Sequence, residues 1–295
     1  MQVDGVFSGG GVKAFSYLGA LEVCEKRGIE FKRIAGTSAG ALIASLIKVG
    51  YKSDELKQIL ENIKTNELLD QNPFIRRIPL LRWLFLYKTL GLYKGAVIEN
   101  WIDQLLQNKG VRTFGDLDGN ELFIIGTDIT SGRLVVFPDD LKEFYGIEPK
   151  TFPIARAVRA SIGIPYFFKP IQIKSNHKTH IFIDGAALSN FPYWIFKQDG
   201  DKKTRPTLGI KLSSNQLTIP KQSIHNGIDM LQAIFSTVLQ AHDSRYVSEE
   251  DAKDIIFLPA ENISSTNFDL TDEERAYLIN LGKMRAEAFF KTWLG

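Results

Sequence analysis

Apolar residues follow two different spacings along the first fifty positions. Short, mostly apolar runs at residues 3–8 and 31–36 are typical of buried β-strands. Residues 12–27 carry apolar side chains every three or four positions, which predicts a helix that ends at Gly28. Residues 39–49 are apolar on almost every side and predict a helix inside the core. This order of strand, helix, strand and helix predicts a parallel sheet with helices on both faces.

The same patterns extend over the rest of the chain. Further strands are predicted at residues 121–128, 133–137, 171–174, 181–184, 207–212 and 255–258. Further helices are predicted at residues 53–65, 98–107, 152–159, 224–245 and 271–294. No linker rich in proline and glycine divides these elements. Residues 1–295 are therefore predicted to form one α/β domain, with three α/β/α layers and a mainly parallel central sheet.

Composition narrows the classes of function. The 295 residues include 36 basic and 34 acidic ones, and a net charge of +2 creates no field that would attract nucleic acid. Cys24 is the single cysteine, which excludes an intramolecular disulfide bond and is typical of a reducing compartment. The amino terminus lacks the features of a secretory signal, and no apolar run is long enough to span a bilayer. We therefore expect a cytoplasmic protein.

The sequence Gly-Thr-Ser-Ala-Gly at residues 36–40 lies between the second strand and the apolar helix. In many hydrolases the pattern G-x-S-x-G forms a sharp strand-to-helix turn that exposes the hydroxyl of a nucleophilic serine. Ser38 is therefore a candidate nucleophile, with Gly36 and Gly40 supporting the turn. Such a serine usually transfers its proton to a histidine.

Three consecutive glycines at residues 9–11 follow the first strand. Backbone amides exposed there can stabilise the oxyanion of a tetrahedral intermediate. The spacing G-x-G-x-x-A also fits a dinucleotide-binding loop, with Glu30 as the acid that binds the ribose. Glu30, however, lies at the start of the second strand, whereas that acid belongs at the carboxyl end. Because neighbouring crossovers place the glycines and Ser38 at one edge of the sheet, hydrolysis is the favoured interpretation.

The chain has four histidines that could serve Ser38, namely His177, His180, His225 and His242. His180 and Asp184 share one face of a strand, but four residues separate their backbones by about 13 Å, too far for a direct bond. His242 follows Ser38 and Asp184 in the chain order of α/β-hydrolases, which leaves a triad open. Its position late in a predicted helix is unusual for a triad histidine.

Asp184 ends a predicted apolar strand and precedes Gly185, so its carboxylate emerges at the sheet edge. A carboxylate is normally a weak base toward a serine hydroxyl. Partial desolvation would raise its pKa, and the positive end of the helix at residues 39–49 would favour an alkoxide on Ser38. A Ser38–Asp184 pair is therefore chemically feasible, while an ordinary Asp-Gly turn is the alternative.

Five motifs occur in order along most of the chain. They are SGGGVKA at residues 8–14, GTSAG at 36–40, GTDITSG at 126–132, ASIGIPYFFKP at 160–170 and DGAALSNFP at 184–192. Together they resemble the glycine-rich block, serine elbow and Asp-Gly block of the patatin-like phospholipase family. The resemblance implies the patatin-like fold and a Ser–Asp dyad that works without histidine.

The resemblance also assigns roles to particular residues. It implies Ser38 as nucleophile, Asp184 as base, Gly9, Gly10, Gly11 and Ala39 as the oxyanion hole, Gly36, Gly40 and Gly185 as support, and Lys13 as a contact to a substrate phosphate. No cofactor is implied, and no cluster with metal-ligand spacing occurs. Ala14 departs from the family pattern, which usually has glycine there, and its methyl group could crowd the helix against the sheet.

Residues 71–98 contain five basic residues, no acidic residue and many leucine and aromatic side chains. This combination is typical of contact with anionic lipid, and it fits equally well a hairpin packed on the core with snorkelling basic side chains. We expect a cap or lipid-contact segment here, and thus peripheral contact with a membrane.

These observations predict a lipid acyl hydrolase of the phospholipase A or lysophospholipase type, acting through an acyl-Ser38 intermediate. Its expected partner is a phospholipid or lysophospholipid rather than nucleic acid. Three alternatives remain: an esterase with a Ser38–Asp184–His242 triad, a nucleotide-binding oxidoreductase, and a lipid-sensing module without turnover.

Overall fold

The computed structural model describes residues 1–62, 70, 90–175, 178–197, 205–213, 230, 233, 237, 248–260, 263–265, 267 and 269–293. Nearly all of the helix predicted at residues 224–245, and residues 71–89 of the expected lipid-contact segment, lie outside the described residues. Within the described ranges, no helix combines the length and the apolar character needed to cross a membrane.

Among the residues that the structure describes, eight strands form one central sheet, and two more form a small separate sheet. The strands are β1 Gln2–Phe7, β2 Glu30–Thr37, β3 Gly91–Tyr93, β4 Leu122–Asp128, β5 Arg133–Phe137, β6 Tyr166–Phe168, β7 Ile171–Ser175, β8 Lys178–Asp184, β9 Thr207–Lys211 and β10 Ile255–Phe257. The central order is β10-β9-β1-β2-β4-β8-β7, with β5 also paired to β4. From β10 to β4 all neighbours are parallel. The predicted mainly parallel sheet is confirmed.

Strand β4 brings two distant strands end to end. On one edge, residues 124–128 of β4 pair with the antiparallel β5. Strands β2 and β8 must therefore share the other edge, where Thr37 pairs with Ile125 and Asp184 pairs with the next residue, Gly126. Because β2 is parallel and β8 antiparallel to β4, their carboxyl ends face each other. This register places the elbow serine, which follows Thr37, beside Asp184.

The helices cover the sheet and each other. They are α1 Phe15–Lys26, α2 Ala39–Lys48, α3 Ser53–Glu61, α4 Ala96–Gln107, α5 Asp140–Tyr145, α6 Ile154–Ser161, α7 Glu249–Ala252 and α8 Asp272–Phe289. The largest core joins one face of the sheet to α1, α2, α4 and α6, with Ile34, Leu46 and Ile102 fully buried. Helix α8 crosses α1 so closely that a Cβ on Gly282 would lie 1.8 Å from the carbonyl oxygen of Ser16.

The other face of the sheet is covered by aromatic side chains that follow β8. Phe191, Tyr193 and Phe196 pack against Val6 and Ala35 of the two central strands. Val6 and Ala35 are next in sequence to Phe7 and Ile34, which belong to the main core on the other face. This alternation is expected because successive side chains of a strand point to opposite faces. The sheet therefore has a buried layer on each side.

Three features were not predicted from the sequence. Strands β3 and β6 form a parallel pair in which Gly91 aligns with Tyr166 and Tyr93 with Phe168. The short helices α5 and α7 are the other two. Each strand of the pair has only three residues, too few for a period-two pattern to be recognised.

Candidate active site

Ser38 lies at the turn between β2 and α2 with φ 53° and ψ −125°. A side chain at positive φ is strained, which is typical of a nucleophile elbow. Helix α2 approaches the sheet so closely that a Cβ on Gly40 would lie 2.4 Å from the carbonyl oxygen of Phe7. A Cβ on Gly36 would lie 2.5 Å from the carbonyl oxygen of Gly40. Both glycines are thus needed for the elbow to form.

The hydroxyl of Ser38 contacts a carboxylate directly. Ser38 Oγ donates a hydrogen bond of 2.7 Å to Asp184 Oδ2. Ser38 is 7% exposed and Asp184 is 2% exposed, so the pair is shielded from most of the solvent. This arrangement provides a proton acceptor for the hydroxyl without an intervening side chain.

The surroundings of Asp184 make its carboxylate a better base than usual. Burial raises the pKa of Asp184 to about 7, although the Ala186 amide and the Ser38 hydroxyl oppose the rise. The Ala186 amide donates to Oδ1 over 2.9 Å, and the amide of Asp184 donates to the carbonyl oxygen of Gly163 over 2.8 Å. The chain turns at Gly185, where a Cβ would lie 2.1 Å from the carbonyl oxygen of Ile125. The carboxylate is therefore held in place with its pKa near neutrality.

Ser161, the last residue of α6, binds the backbone of the elbow at Ser38. Its Oγ accepts a hydrogen bond of 2.9 Å from the amide of Ser38, and the Ser161 side chain is fully buried. No pattern in the sequence singles this residue out, although it belongs to the stretch at 160–170 that carries the family resemblance. Because the Ser38 amide is used in this bond, it is not free to stabilise an oxyanion.

The glycine loop at residues 9–11 lies against Ser38. A Cβ on Gly9 would lie 3.0 Å from the Cβ of Ser38 and 2.4 Å from Asn190 Oδ1. The amide of Gly9 donates to the carbonyl oxygen of Asn190 over 3.0 Å. Because its amide is bonded to Asn190, Gly9 differs from the other members of the predicted oxyanion hole, and its role there stays a prediction. Within the part of the chain that the structure describes, the amides of Gly10, Gly11 and Ala39 donate no hydrogen bond.

Lys13 and Ala14 belong to a 3-10 turn that joins this loop to α1. The Lys13 amide donates to the carbonyl oxygen of Gly10 over 3.3 Å, and its own carbonyl oxygen accepts from Ser16 Oγ over 2.7 Å. Ala14 is half-buried against the edge of the main core. The departure from glycine at this position is therefore accommodated by packing.

Only one of the four histidines, His180, falls among the described residues. Its Nδ1 lies 2.8 Å from Asp128 Oδ2, and its ring packs edge-on against Tyr145. Burial alone would raise the pKa of Asp128, but hydrogen bonds from Ser131, His180 and Tyr145 outweigh that effect and lower it. As the strand spacing predicts, His180 does not bond Asp184. His177, His225 and His242 lie outside the described residues.

In the described ranges, no group of three or more His, Cys, Asp or Glu side chains is arranged to hold a metal ion. Glu30 is exposed at the amino end of β2, opposite the edge at which Ser38 lies. The structure thus brings together Ser38, Asp184 and the glycine loop, and leaves Glu30 apart from them.

The sequence profile of the patatin-like phospholipase family matches residues 5–197, which is more than half of the chain. The chain belongs to the patatin-like phospholipase family. Membership confirms the family and the fold class that the five motifs predict. The patatin-like protein is accordingly a carboxylic ester hydrolase that acts on lipid.

Several known proteins are similar to this chain over most of its length. The patatin-like protein is 46% identical over 293 residues to "Uncharacterized protein YqhO" of Bacillus subtilis (strain 168), with 99% of each chain covered. It is 23% identical over 230 residues to "Probable lipid hydrolase 463L" of Invertebrate iridescent virus 6, covering 75% of this chain and 72% of that protein. The crystal structure of VipD from Legionella pneumophila superposes with a TM-score of 0.59 and 18% identity, over 99% of this chain and 67% of VipD. At this identity the superposition supports the fold alone.

Proposed function

We propose that this patatin-like protein is a phospholipase A or lysophospholipase that cleaves membrane lipids through an acyl-serine intermediate and a Ser38–Asp184 dyad. The observation that carries the proposal is the direct hydrogen bond from Ser38 Oγ to Asp184 Oδ2. A buried carboxylate with a pKa of about 7 is matched to accept and return a proton near neutral pH.

The first half-reaction forms the acyl-enzyme. Ser38 Oγ bonds the ester carbonyl carbon while its proton passes to Asp184 Oδ2. The carbonyl oxygen becomes negative, and the amides of Gly10, Gly11 and Ala39 are proposed to stabilise it. When this intermediate collapses, the bond from carbon to the alcohol oxygen breaks, and the alcohol leaves with the proton from Asp184.

The second half-reaction is hydrolysis of the acyl-serine. A water molecule gives its proton to Asp184 and attacks the acyl carbon. Collapse returns that proton to Ser38 Oγ and releases a fatty acid. No further group is required, because the one carboxylate acts as base and then as acid in each half-reaction.

The geometry also bears on the two enzymatic alternatives. A triad would place an imidazole between Ser38 and Asp184, whereas their 2.7 Å contact leaves no space for one. A dinucleotide site would need a carboxylate at the carboxyl end of β2, where Ser38 is found instead. Both observations favour the dyad hydrolase.

Contact with the membrane surface is part of the proposal. The ester bonds of a phospholipid lie at the boundary between headgroups and acyl chains, so the site must reach that layer. We assign Lys13, next to the glycine loop, as a contact for the lipid phosphate, since an ammonium group complements that charge.

The test combines covalent labelling with a lipid panel. A fluorophosphonate probe should label the wild-type protein, Ser38→Ala should not react, and Ser131→Ala should react normally as a matched control with an exposed serine. The wild type should release fatty acid from phospholipid or lysophospholipid vesicles. Labelling at another serine would overturn the site. Absence of both labelling and hydrolysis would favour the lipid-sensing module, and NAD(P) binding would favour the oxidoreductase.

A further inference from the structure

Leu90 and Tyr166 form an exposed apolar tip on the small sheet of β3 and β6. Tyr166 pairs with Gly91, and Leu90 precedes Gly91, so both residues lie at the amino end of the small sheet. Leu90 is 42% exposed and Tyr166 is 46% exposed. Two large exposed apolar residues at the same end of one small sheet, close to an active site, are a candidate interaction surface.

The backbone of the apolar tip is strained. Leu90 has φ 59° and Tyr166 has φ 64°. Bulky residues rarely adopt this region because their Cβ atoms crowd the backbone carbonyl oxygen. In the described part of the chain, only one other non-glycine residue has positive φ, and that residue is Ser38. Such strain concentrates at functional positions, which makes the apolar tip a candidate functional surface.

A buried arginine fixes the other end of the small sheet. Arg159 Nε donates to the carbonyl oxygen of Gly95 over 3.0 Å, and Nη2 donates to those of Lys94 and Lys169 over 3.2 and 2.8 Å. The guanidinium also lies 4.7 Å from the centre of the Phe168 ring. Arg159 belongs to α6, the helix whose last residue holds the amide of the nucleophile. The small sheet is therefore fastened to the active-site scaffold.

The apolar tip is also close to the dyad. The carbonyl oxygen of Gly163 accepts the amide of Asp184 over 2.8 Å. Tyr166 follows Gly163 by three residues, so its Cα lies within about 11 Å of the Cα of Gly163. A surface that receives the apolar tip would thus be brought near Ser38 and Asp184.

Two exposed lysines, Lys94 and Lys169, follow the carboxyl ends of β3 and β6. Strand geometry places their backbones roughly 10–13 Å from the apolar tip. The headgroup layer of one leaflet is roughly 5–8 Å thick, and a lysine side chain is long enough to bridge the difference. The apolar tip would thus reach the acyl chains while the two lysines stay among the anionic headgroups, an arrangement that complements an anionic bilayer.

We propose that the apolar tip inserts Leu90 and Tyr166 into the surface of an anionic bilayer while Lys94 and Lys169 contact its headgroups. The inference rests on the proposed lipid hydrolase function and locates its membrane contact. The insertion holds the dyad at the depth of the ester bonds, and the strained backbone keeps both side chains outward.

The test is co-sedimentation with vesicles of diether phosphatidylglycerol and diether phosphatidylcholine, which contain no ester for the enzyme to cleave. Leu90→Asn/Tyr166→Asn should raise the lipid concentration for half-binding at least tenfold. Asparagine tolerates positive φ, so this variant should fold, which circular dichroism will verify. Tyr277→Asn is the matched control, because Tyr277 is also 46% exposed but lies on α8. It should bind like the wild type.

The basic residues are tested separately. Lys94→Gln/Lys169→Gln should weaken binding to the anionic vesicles and reduce its salt dependence, whereas the exposed Lys291→Gln should not. Unchanged binding of the folded Asn double variant would overturn the proposal, as would an equal loss in Tyr277→Asn. If the only effect of the Asn double variant were a higher KM for a monomeric lysolipid, the apolar tip would be a subsite for the acyl chain and not a membrane contact. Fluorophosphonate labelling of the wild type reports on the hydrolase function independently.

Discussion

Ser38 and Asp184 are 146 residues apart in the sequence, and the hydroxyl of the first lies 2.7 Å from the carboxylate of the second. Strand β4 creates this contact, since its consecutive residues Ile125 and Gly126 pair with the ends of β2 and β8. The hydroxyl, the carboxylate and the strained turn are thus held by one strand.

The first prediction concerns pH. Burial raises the pKa of Asp184 to about 7, and only the ionised carboxylate can accept the proton of Ser38. The value of kcat/KM for a soluble ester should therefore rise about tenfold per pH unit below that pKa and level off above it. A profile that is flat between about pH 5.5 and 8 would contradict Asp184 as a base with this pKa.

The second prediction concerns Asp184→Asn. The amide cannot accept the proton of Ser38, so turnover should be abolished. His242→Ala should leave most of the activity, because the dyad needs no imidazole. Initial rates on a soluble ester measure both, after circular dichroism has shown that the variants fold. If His242→Ala were inactive and Asp184→Asn remained active, the triad would be favoured instead.

The same substitution should change how stability depends on pH. The pKa of Asp184 is higher in the folded than in the unfolded chain, so the protonated carboxyl favours folding. That contribution is complete below about pH 4 and is lost as pH rises through about 7. Relative to Asp184→Asn, the wild type should lose roughly 2–4 kcal/mol of unfolding free energy across this window. Urea unfolding of both proteins at pH 4 and 8 measures the difference. An equal change in unfolding free energy for the wild type and Asp184→Asn would contradict the prediction.

The third prediction assigns Ser161 as a positioning residue. Ser161→Ala removes the acceptor of the Ser38 amide and leaves a buried donor unsatisfied, which should destabilise by about 1–3 kcal/mol. Because the elbow is then less well held, kcat should fall at least tenfold while KM for a soluble ester changes little.

Ser45→Ala is the matched control for this change. Ser45 is buried in α2 and donates to the carbonyl oxygen of Leu42, so its removal loses a hydrogen bond without touching the elbow. It should lower the melting temperature and spare kcat. If both variants lowered kcat equally, the role of Ser161 would be purely structural.

The fourth prediction concerns His180. His180→Ala removes its bond to Asp128 and the edge contact with Tyr145, while Ser131 and the amide of Thr130 still bind Asp128. We expect about 1–3 kcal/mol lower stability and nearly unchanged kcat. Thermal unfolding and soluble-ester kinetics measure the two effects. A large loss of kcat in a folded variant would show that this histidine takes part in catalysis.

Local sequence patterns were sufficient to predict the strands, helices and turns around Ser38. The strands β1 and β2, the helices α1 and α2 and both glycine motifs are contiguous in sequence. Periodicity and turn chemistry therefore predict them, and the right-handed crossovers of a parallel sheet place both loops at one edge. The strand before Asp184 was predicted in the same way. Its role as a base came only from the family resemblance, since an Asp-Gly pair is equally typical of a turn.

The sequence by itself determined the order of the main strands and helices, the elbow and the class of chemistry, because each depends on residues close together in the chain. Tertiary structure alone decided three other features: the register that joins Ser38 to Asp184, the bond from the Ser38 amide to Ser161, and the use of the Gly9 amide by Asn190. Each depends on pairing between segments more than a hundred residues apart, for which local propensity carries no signal. The raised pKa of Asp184 belongs with them, because burial is a property of the packed site and not of the residue.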